Sequence, residues 1–387
     1  MTDAPIDSTA PVAADSKAQA KKETYFTASQ GQLIRARFMK NRTAVVAGVV
    51  LMLMVLMGLF APFLSPYDPT IAGRDRAYLN GPPQIPMFCD DNGCSIRPFL
   101  HTVEMKRNMQ TLRMEPTITD DRRYVGFFVQ GAEYRLFGLS FSTRFFGVDT
   151  GKIHLFGTDS EGKDIFSRTL HAIWTSLAVG TIGVLISFVL ALIIGGISGY
   201  FGGWIDGVIQ MVTDAVRTIP AIPLFMAIAA IMTAYYPTVS AETRFMIISV
   251  ILGLIGWPTL ARRVRTHLLT ERTQDYVLAA QLCGASSGHV IRRHLLPSFT
   301  SYIIVDLVIS FPYMVLSETA LSFIGLGLKE PVSSLGVLLQ NVSSIDVLLN
   351  FQWEFIPVLF FITLVLAFVF VGDGLRDAAD PYSDVKK

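Results

Sequence analysis

The chain has 387 residues, of which 51% are hydrophobic and only 16% are charged. Because soluble domains carry about 25% charged residues, this composition excludes an ordinary soluble protein and predicts a membrane protein. The formal net charge of +1 gives no basic excess for a nucleic-acid partner, and three cysteines are too few for a disulfide scaffold.

The first 42 residues are polar, and we interpret them as an N-terminal tail. They contain no apolar core followed by a small-residue cleavage site, so we expect no removable signal peptide. Membrane insertion is therefore assigned to the first apolar stretch. The tail ends in the basic segment GQLIRARFMKNR, which is typical of a cytoplasmic anchor beside a membrane span.

Six stretches are apolar enough, and approach the length of about 20 residues, to cross a bilayer. They are residues 43–63, 175–197, 208–233, 244–260, 300–321 and 355–372. The third is the least regular. It carries Asp214 and Arg217, which can neutralise each other at i,i+3 spacing. Pro220 and Pro223 follow and predict a kink near this polar turn.

Counts of lysine and arginine in the connections predict the orientation of the spans. The tail carries seven, residues 261–299 carry six, and the connection between the last two spans carries one. Basic residues concentrate on the cytoplasmic side, so both termini, including a tail at 373–387, and the loop 261–299 are predicted to be cytoplasmic. Residues 64–174 then form an extracytoplasmic insertion, and residues 175–372 form the core.

The stretch FGTDSEGKD, residues 156–164, contains most of a phosphate-binding loop. That motif requires Ser or Thr after its lysine to ligate Mg²⁺, whereas Lys163 is followed by Asp164, which repels phosphate. The stretch also lies on the predicted outer side, away from ATP. We therefore expect no nucleotide site here.

The insertion is long enough for a small domain. Residues 122–139 predict a β-hairpin, because two aromatic-rich runs flank a turn at Gln130–Gly131. Cys89 and Cys94 in CDDNGC favour a local disulfide on an oxidising side, and a metal site is the alternative. Cys283, in the cytoplasmic loop, is expected to be a free thiol.

The loop 261–299 is too polar to span the membrane and too patterned for a passive linker. Residues 271–284 suit a helix that ends at Gly284, and Ser286 or Ser287 is a plausible N-cap of a second, short helix. The small residues between the two helices allow either close approach of another protein or packing on the chain's own bundle.

The segment YVLAAQLCGASSGHVIRRHLLP, residues 276–297, resembles the EAA loop of ABC-transporter permease subunits. Matching positions are occupied by Ala279, Ala280, Gly284, Leu296 and Pro297. The chain departs from the family pattern at two positions, where Leu278 replaces a glutamate and His294 replaces an isoleucine.

Four further segments resemble one branch of that family, the oligopeptide/dipeptide importer permeases. They are residues 156–180, 199–224, 316–328 and 372–381. The resemblance covers about residues 35–70 and 150–387. The outer insertion, residues 71–153, is longer than in many members and resembles a subgroup associated with larger peptides and peptide-nucleotide compounds of the microcin type.

The resemblance implies an all-α integral membrane protein with the six-helix fold of ABC importer permeases and a small extracytoplasmic insertion containing β-structure. It implies a multi-pass subunit of the bacterial inner (plasma) membrane that imports oligopeptides or peptide-like compounds. The implied partners are a homologous permease, two ATP-binding subunits or a fused equivalent, an extracytoplasmic substrate-binding protein and membrane lipid. The chain itself would be no enzyme and bind no cofactor or metal, since ATP and Mg²⁺ are used by the partner subunits.

The resemblance also implies roles for individual residues. Coupling to an ATP-binding subunit falls within residues 275–297, on Ala279, Ala280, Gly284, Ala285, Ser286, Ser287 and His289. Independently of the resemblance, Asp306 and Glu318 are candidates for the translocation path or a gate, because charged residues in a span usually face the bundle interior or a cavity. For Glu318 the alternatives are an interhelical hydrogen bond or a position at headgroup level.

In FGTDSEGKD the resemblance implies a structural role. Gly157 and Gly162 permit tight turns, and Asp159 or Asp164 can cap the helix entering the second span. Part of a docking surface for a substrate-binding protein is the alternative.

Two other functional classes stay open on the sequence alone. A secondary transporter driven by an ion gradient often has broken helices, and the break at Pro220 and Pro223 is a partial match. A membrane enzyme is the other class, but His267, His289 and His294 cluster in the loop without the spacing of metal ligands or a catalytic triad.

Overall fold

The computed structural model describes residues 30–70, 74–90, 93–107, 109, 114–148, 150–235, 240–295, 297 and 300–380. The predicted tail up to residue 29, Leu296 of the loop motif and the last seven residues lie outside these ranges.

Helices dominate the described residues. In chain order they are α1 (Gln30–Lys40), α2 (Arg42–Leu59), α3 (Ala61–Leu64), α4 (Ile165–Phe201), α5 (Gly203–Thr218), α6 (Ala221–Tyr235), α7 (Ala241–Glu271), α8 (Asp275–Leu282), α9 (Ser287–Val290), α10 (Thr300–Phe323), α11 (Leu335–Val342), α12 (Ile345–Asn350) and α13 (Ile356–Ala379). A turn of π-helix, Ile291–Leu295, follows α9, and a 3₁₀ turn, Gln352–Phe355, precedes α13.

Among the described residues, α2, α4, α7, α10 and α13 are long and apolar enough to cross a membrane, and α5 with α6 gives a sixth span if counted together. The α5–α6 pair bends by 76°. This confirms the predicted kink, because Pro220 lies at the break and has no amide proton to continue the helix.

Two of the spanning helices are much longer than their apolar stretches. Helix α4 begins at Ile165 and α7 continues to Glu271, whereas the predicted spans begin at residue 175 and end at residue 260. The 37 residues of α4 extend about 55 Å. Since the hydrocarbon core is about 30 Å thick, these helices extend beyond the bilayer. Their ends lie in the polar parts of the protein on either side of the membrane.

Helices α4 and α7 pack closely along glycines. Gly195 faces Ala261, and a Cβ on Gly199 would lie 2.7 Å from the carbonyl oxygen of Arg265. The Ser187 hydroxyl, on the same side of α4, donates to the carbonyl of Gly253 at 2.7 Å. This small-xxx-small spacing lets two backbones approach where a larger side chain would separate them.

The insertion forms a four-stranded antiparallel sheet in the order β1 (Met87–Asp90), β2 (Gly93–Arg107), β3 (Met114–Leu136) and β4 (Leu139–Val148). Cys89 and Cys94 face each other across β1 and β2 and are joined by a disulfide.

The predicted β-hairpin of residues 122–139 is wrong, because residues 122–136 belong to the single strand β3, which pairs with β4. The turn lies at Phe137–Gly138, where both residues have positive φ, as a two-residue hairpin turn requires. Gln130 and Gly131 instead lie within β3, at a shift in register. A Cβ on Gly131 would lie 2.8 Å from Cγ of Arg144, so this glycine makes room for a buried arginine rather than a turn.

Arg144 fixes the sheet to the end of the first span. Its side chain is buried, and Nη1 donates to the carbonyl oxygens of Pro62 and Ser65, each at 2.9 Å. Nη2 donates to the carbonyl of Ala132 at 3.1 Å. The guanidinium thus donates to carbonyl oxygens that have no partner within α3, and it holds β3 and β4 beside that helix.

Candidate functional site

The FGTDSEGKD stretch forms the entry to α4. Asp164 is the N-cap, and its carboxylate accepts from the amide of Ser167 at 2.7 Å. Gly157 and Gly162 both have φ near +77°, which glycine adopts most easily. Asp159 accepts from two amides within the stretch and so closes a turn rather than capping the helix. These contacts are of the structural kind that the sequence predicts.

The lysine of the phosphate-loop-like pattern is held by carboxylates. Lys163 pairs with Glu330, which follows α10, and with Glu161 at 3.0 Å. Arg168, fully buried on α4, pairs with Asp159 and, at 2.6 Å, with Glu330. Burial raises the pKa of Glu330, but the two cations outweigh burial and the net pKa is lowered. The cluster joins the start of α4 to the segment after α10.

A buried histidine links the same stretch to the start of the insertion. His154 Nδ1 lies 3.0 Å from Asp164 and Nε2 lies 3.2 Å from Asp75. Burial lowers the pKa of His154, but the two carboxylates outweigh it and the net pKa is raised. The ring also stacks on Tyr78, with centroids 5.3 Å apart. Sequence reasoning missed this cluster because its members are distant in the chain.

Two adjoining cavities lie between α4, α7 and α10. The first has a volume of about 620 Å³ and the second about 950 Å³. Both are lined by Thr259, Leu260, Arg263 and Tyr313, so they share a wall. The first is also lined by Ser187, Ser310 and Ser317, and the second extends toward the end of α7 at Glu271.

The ionisable residues predicted within the bundle occupy different places. Asp306 lines the second cavity and pairs with Arg263 at 2.6 Å. Glu318 is fully buried and is not among the described residues that line these two cavities. It accepts from the hydroxyl of Ser322 at 2.8 Å and that of Ser176, on α4, at 3.3 Å. This is the interhelical hydrogen bond that the sequence left as an alternative.

The predicted pairing of Asp214 with Arg217 is not the one observed. Asp214 pairs with Arg262 on α7. Arg217 instead lines the second cavity. A neighbouring helix offers a partner that the i,i+3 spacing cannot reveal.

The loop after α7 is a compact helix, turn and short helix, as predicted. Helix α8 is followed by Gly284, whose φ of +81° reverses the chain before α9. Val277, Val290 and Leu295 are buried against the extended end of α7. The loop is therefore a rigid continuation of the bundle rather than a free segment.

The seven residues of the predicted coupling surface divide into two groups. Ala280 and Ala285 are half-buried and pack against the apolar cluster beneath the loop. The other five are exposed: Ala279, Gly284, Ser286, Ser287 and His289. Leu278 and Leu282 on α8 are exposed as well, and Leu282 is 89% exposed. Leu278 and Leu282, four positions apart on α8, are the signal in the sequence that could have added these two leucines to the predicted coupling surface.

The loop histidines make ring contacts with one another or with a tyrosine. The rings of His289 and His294 are tilted by 59° with centroids 5.9 Å apart, while His267 lies half-buried against Tyr302. No group of three His, Cys, Asp or Glu able to hold a metal ion occurs among the residues that the structure describes.

Comparisons with known proteins bear on the same parts of the chain. The family described as "Binding-protein-dependent transport system inner membrane component" matches residues 189–383, and "N-terminal TM domain of oligopeptide transport permease C" matches residues 29–83. The β-sheet lies between these two matches.

Two relatives, both above 30% identity, agree with the family match. A dipeptide transport system permease protein of Bacillus subtilis is 36% identical over 59% of this chain and 68% of its own length. An oligopeptide transport system permease protein of Mycobacterium tuberculosis is 33% identical over 60% of this chain and 77% of its own. An inward-facing methionine ABC transporter shares 20% identity over 55% of this chain and 96% of the solved chain, with a TM-score of 0.44.

The resemblance predicted from the loop and its companion motifs is thereby confirmed. The family match includes α5 to α13 with the loop, and its members are permease subunits whose partner subunits hydrolyse ATP. This chain belongs to the family of inner membrane components of binding-protein-dependent transport systems, as a multi-pass permease subunit of an ABC importer.

Proposed function

We propose that this chain forms half of the translocation pathway of an ATP-driven importer of oligopeptides or peptide-like compounds. The observation that carries the proposal is the exposed surface of α8 and α9, which Val277, Val290 and Leu295 pack against the end of α7. The substrate class is inferred from the named relatives, which are dipeptide and oligopeptide permeases. A second, homologous permease completes the pathway, and a substrate-binding protein delivers the peptide on the sheet side.

In this proposal both chain termini and the α8–α9 surface are cytoplasmic. Leu278 and Leu282 lie one helical turn apart and insert into a groove of an ATP-binding subunit. Ser286, Ser287 and His289 contact the rim of that groove. The buried contacts of Val277 and Val290 support this role, because a surface that transmits force must be fixed to the helices that it moves.

The two cavities are proposed as this subunit's share of the pathway. Helix α7 runs without interruption from the first cavity to the loop, so movement of the loop is transmitted to Arg263. Asp306, on α10, faces the same wall. Glu318 acts from the other side of α10, by holding that helix to α4.

The test is purification of the complex carrying Leu282→Asp. We expect this variant to retain the second permease, lose the ATP-binding subunits and lose ATP-dependent uptake in vesicles. Leu349→Asp is the matched control, since Leu349 is a comparably exposed leucine on α12, at the sheet end. Retention of the ATP-binding subunits by Leu282→Asp would overturn the docking assignment, and uptake that follows an ion gradient without ATP would overturn the proposed function.

A further inference from the structure

A separate apolar groove lies between α2 and the β3–β4 hairpin. Its volume is about 590 Å³. Leu53, Leu56 and Phe60 line it from the helix side, and Leu136 and Phe141 line it from the strands. The lining of the groove is almost entirely apolar. The hydroxyl of Tyr134, one of the lining residues, already donates to the carbonyl of Thr143 at 2.7 Å.

The level of this groove relative to the bilayer follows from α2. Its 18 residues extend about 27 Å, close to the hydrocarbon thickness of about 30 Å. Phe60 follows the last helical residue, so it lies at the hydrocarbon boundary. Leu53 lies seven residues earlier, about 10 Å deeper in the membrane. The groove therefore opens at the boundary and continues into the hydrocarbon region.

The hairpin tip is held at the same boundary. The ring of Phe137, in the turn, meets the edge of Phe60 with centroids 6.4 Å apart. Further along, Phe63 contacts Phe128 and Phe145 of the two strands. The buried Arg144 fixes this arrangement, because one guanidinium binds carbonyls of both α3 and β3. These contacts hold the tip at the level of Phe60.

The surface around the tip is apolar and unusually exposed. Phe137 is 72% exposed, and Leu139 and Phe128 are exposed to a similar extent. Aromatic side chains are enriched where proteins cross the membrane–water interface, and contiguous apolar patches mark binding surfaces. Leu53 and Leu56 are also exposed, within a helix that spans the membrane. The patch on the hairpin therefore adjoins the exposed leucines of α2 across the groove.

We propose that the groove binds the acyl chain of a membrane lipid, with the hairpin tip resting in the leaflet on the sheet side. The acyl chain fits because the groove is apolar and opens beside a membrane span whose Leu53 and Leu56 side chains are exposed. The insertion thereby acts as an interfacial anchor that holds the sheet against the bilayer. This inference rests on α2 and the hairpin and does not depend on what the protein transports.

The first test measures the depth of the tip in the assembled complex, reconstituted in phospholipid nanodiscs. A spin label is placed at Phe137→Cys, after the exposed Cys283 and other accessible thiols have been replaced. Leu56→Cys is the lipid-facing reference, and Ile96→Cys, on β2 and 99% exposed, is the matched control. We expect the Phe137 label to collide mainly with oxygen, like the Leu56 label, and the Ile96 label mainly with a water-soluble nickel chelate. A Phe137 label that behaves like the Ile96 label, or one shielded from both reagents by a protein partner, overturns the proposal.

The second test identifies the ligand. A phospholipid carrying a photoreactive diazirine near the end of its acyl chain is added to the same nanodiscs, and adducts are mapped by mass spectrometry. We expect adducts on α2 and on the hairpin, with a several-fold reduction when Thr143→Trp fills the groove from the strand side or Leu53→Trp fills it from the helix side. Ile118→Trp, at an exposed position of β3 away from the groove, is expected to label normally. Undiminished labelling in both filled variants, once their assembly is verified by co-purification, contradicts an acyl-chain groove.

Discussion

Arg263 on α7 and Asp306 on α10 form an ion pair, with Nη1 and Oδ1 2.6 Å apart, at the wall that two adjoining cavities share. Arg263 lines both cavities, so the pair lies where the two spaces meet. Charges within spans are tolerated where they face a cavity and a partner. In the proposed pathway, this pair forms when α7 and α10 approach and breaks when they separate.

Asp306→Asn is expected to reduce ATP-dependent uptake several-fold while leaving assembly intact. Because both side chains are partly exposed, loss of the pair costs at most about 1 kcal/mol of stability. Arg263, however, is left as an unpaired charge at the cavity wall. Uptake and ATPase activity in proteoliposomes are the measurements, and the charge exchange Arg263→Asp with Asp306→Arg should recover part of the loss. Unchanged uptake in Asp306→Asn, or no recovery in the exchange, contradicts a role for the pair.

Glu318→Gln is expected to assemble normally and transport poorly. The carboxylate accepts hydrogen bonds from Ser176 and Ser322, and so joins α4 to α10. A carboxamide has one acceptor oxygen, so one serine hydroxyl must accept from the amide nitrogen instead of donating, which weakens the helix contact without a loss of volume. Glu318→Leu leaves both hydroxyls unsatisfied and should destabilise the complex by about 1–3 kcal/mol. Thermal unfolding and vesicle uptake separate the two variants, and wild-type uptake by Glu318→Gln removes Glu318 from the mechanism.

Features set by short stretches of sequence were predictable. The kink at Pro220, the cap at Asp164 and the chain reversal at Gly284 each depend on the local chemistry of one residue type. The apolar spans were predictable for the same reason, although their helices continue further. Hydropathy reports which residues face lipid, whereas the ends of α4 and α7 are stabilised by polar protein contacts such as Arg265 with Asp206.

Features set by distant partners were not predictable. Glu330 binds Arg168, which lies 162 positions away in the chain. Asp214 pairs with Arg262 rather than with Arg217, the partner predicted from i,i+3 spacing. The hairpin turn was misplaced because Gly131 looks like a turn glycine. Its absent side chain instead accommodates Arg144, which lies on the adjacent strand. One sequence contains no direct record of such pairings.

Gly199→Ala tests the close contact between α4 and α7. A Cβ at this position would lie 2.7 Å from a backbone carbonyl of α7, which cannot move without shifting the helix. We expect a loss of about 1–3 kcal/mol from overpacking, observed as a lower thermal midpoint of the purified complex. Gly207→Ala on α5 is the control, because no described atom lies within 4 Å of its Cβ position. Its midpoint should stay the same or rise slightly, and equal midpoints for Gly199→Ala and wild type would exclude a tight contact.

The buried cluster of His154 with Asp164 and Asp75 gives stability a specific pH dependence. Burial lowers the pKa of His154, but the hydrogen bonds to the two carboxylates prevail and raise it above its ordinary 6.5. Stability from a raised pKa is fully present below the unfolded value and is lost as pH rises through the folded one. The pKa of Asp75 is lowered, chiefly by the hydrogen bond from His154, so its contribution is lost as pH falls through that depressed value.

The cluster should therefore stabilise the complex most between pH values of 3.8 and 6.5, the ordinary pKa values of the two groups. We expect His154→Gln to lower the thermal midpoint within this window, and the difference from wild type to shrink as pH rises from about 6 to about 9. Asp75→Asn removes one carboxylate, lowers the folded pKa of His154 and should move this decline to lower pH. A midpoint difference that stays constant over this range would mean that the imidazole does not change its charge there, and that its contribution comes from stacking on Tyr78 and from packing alone.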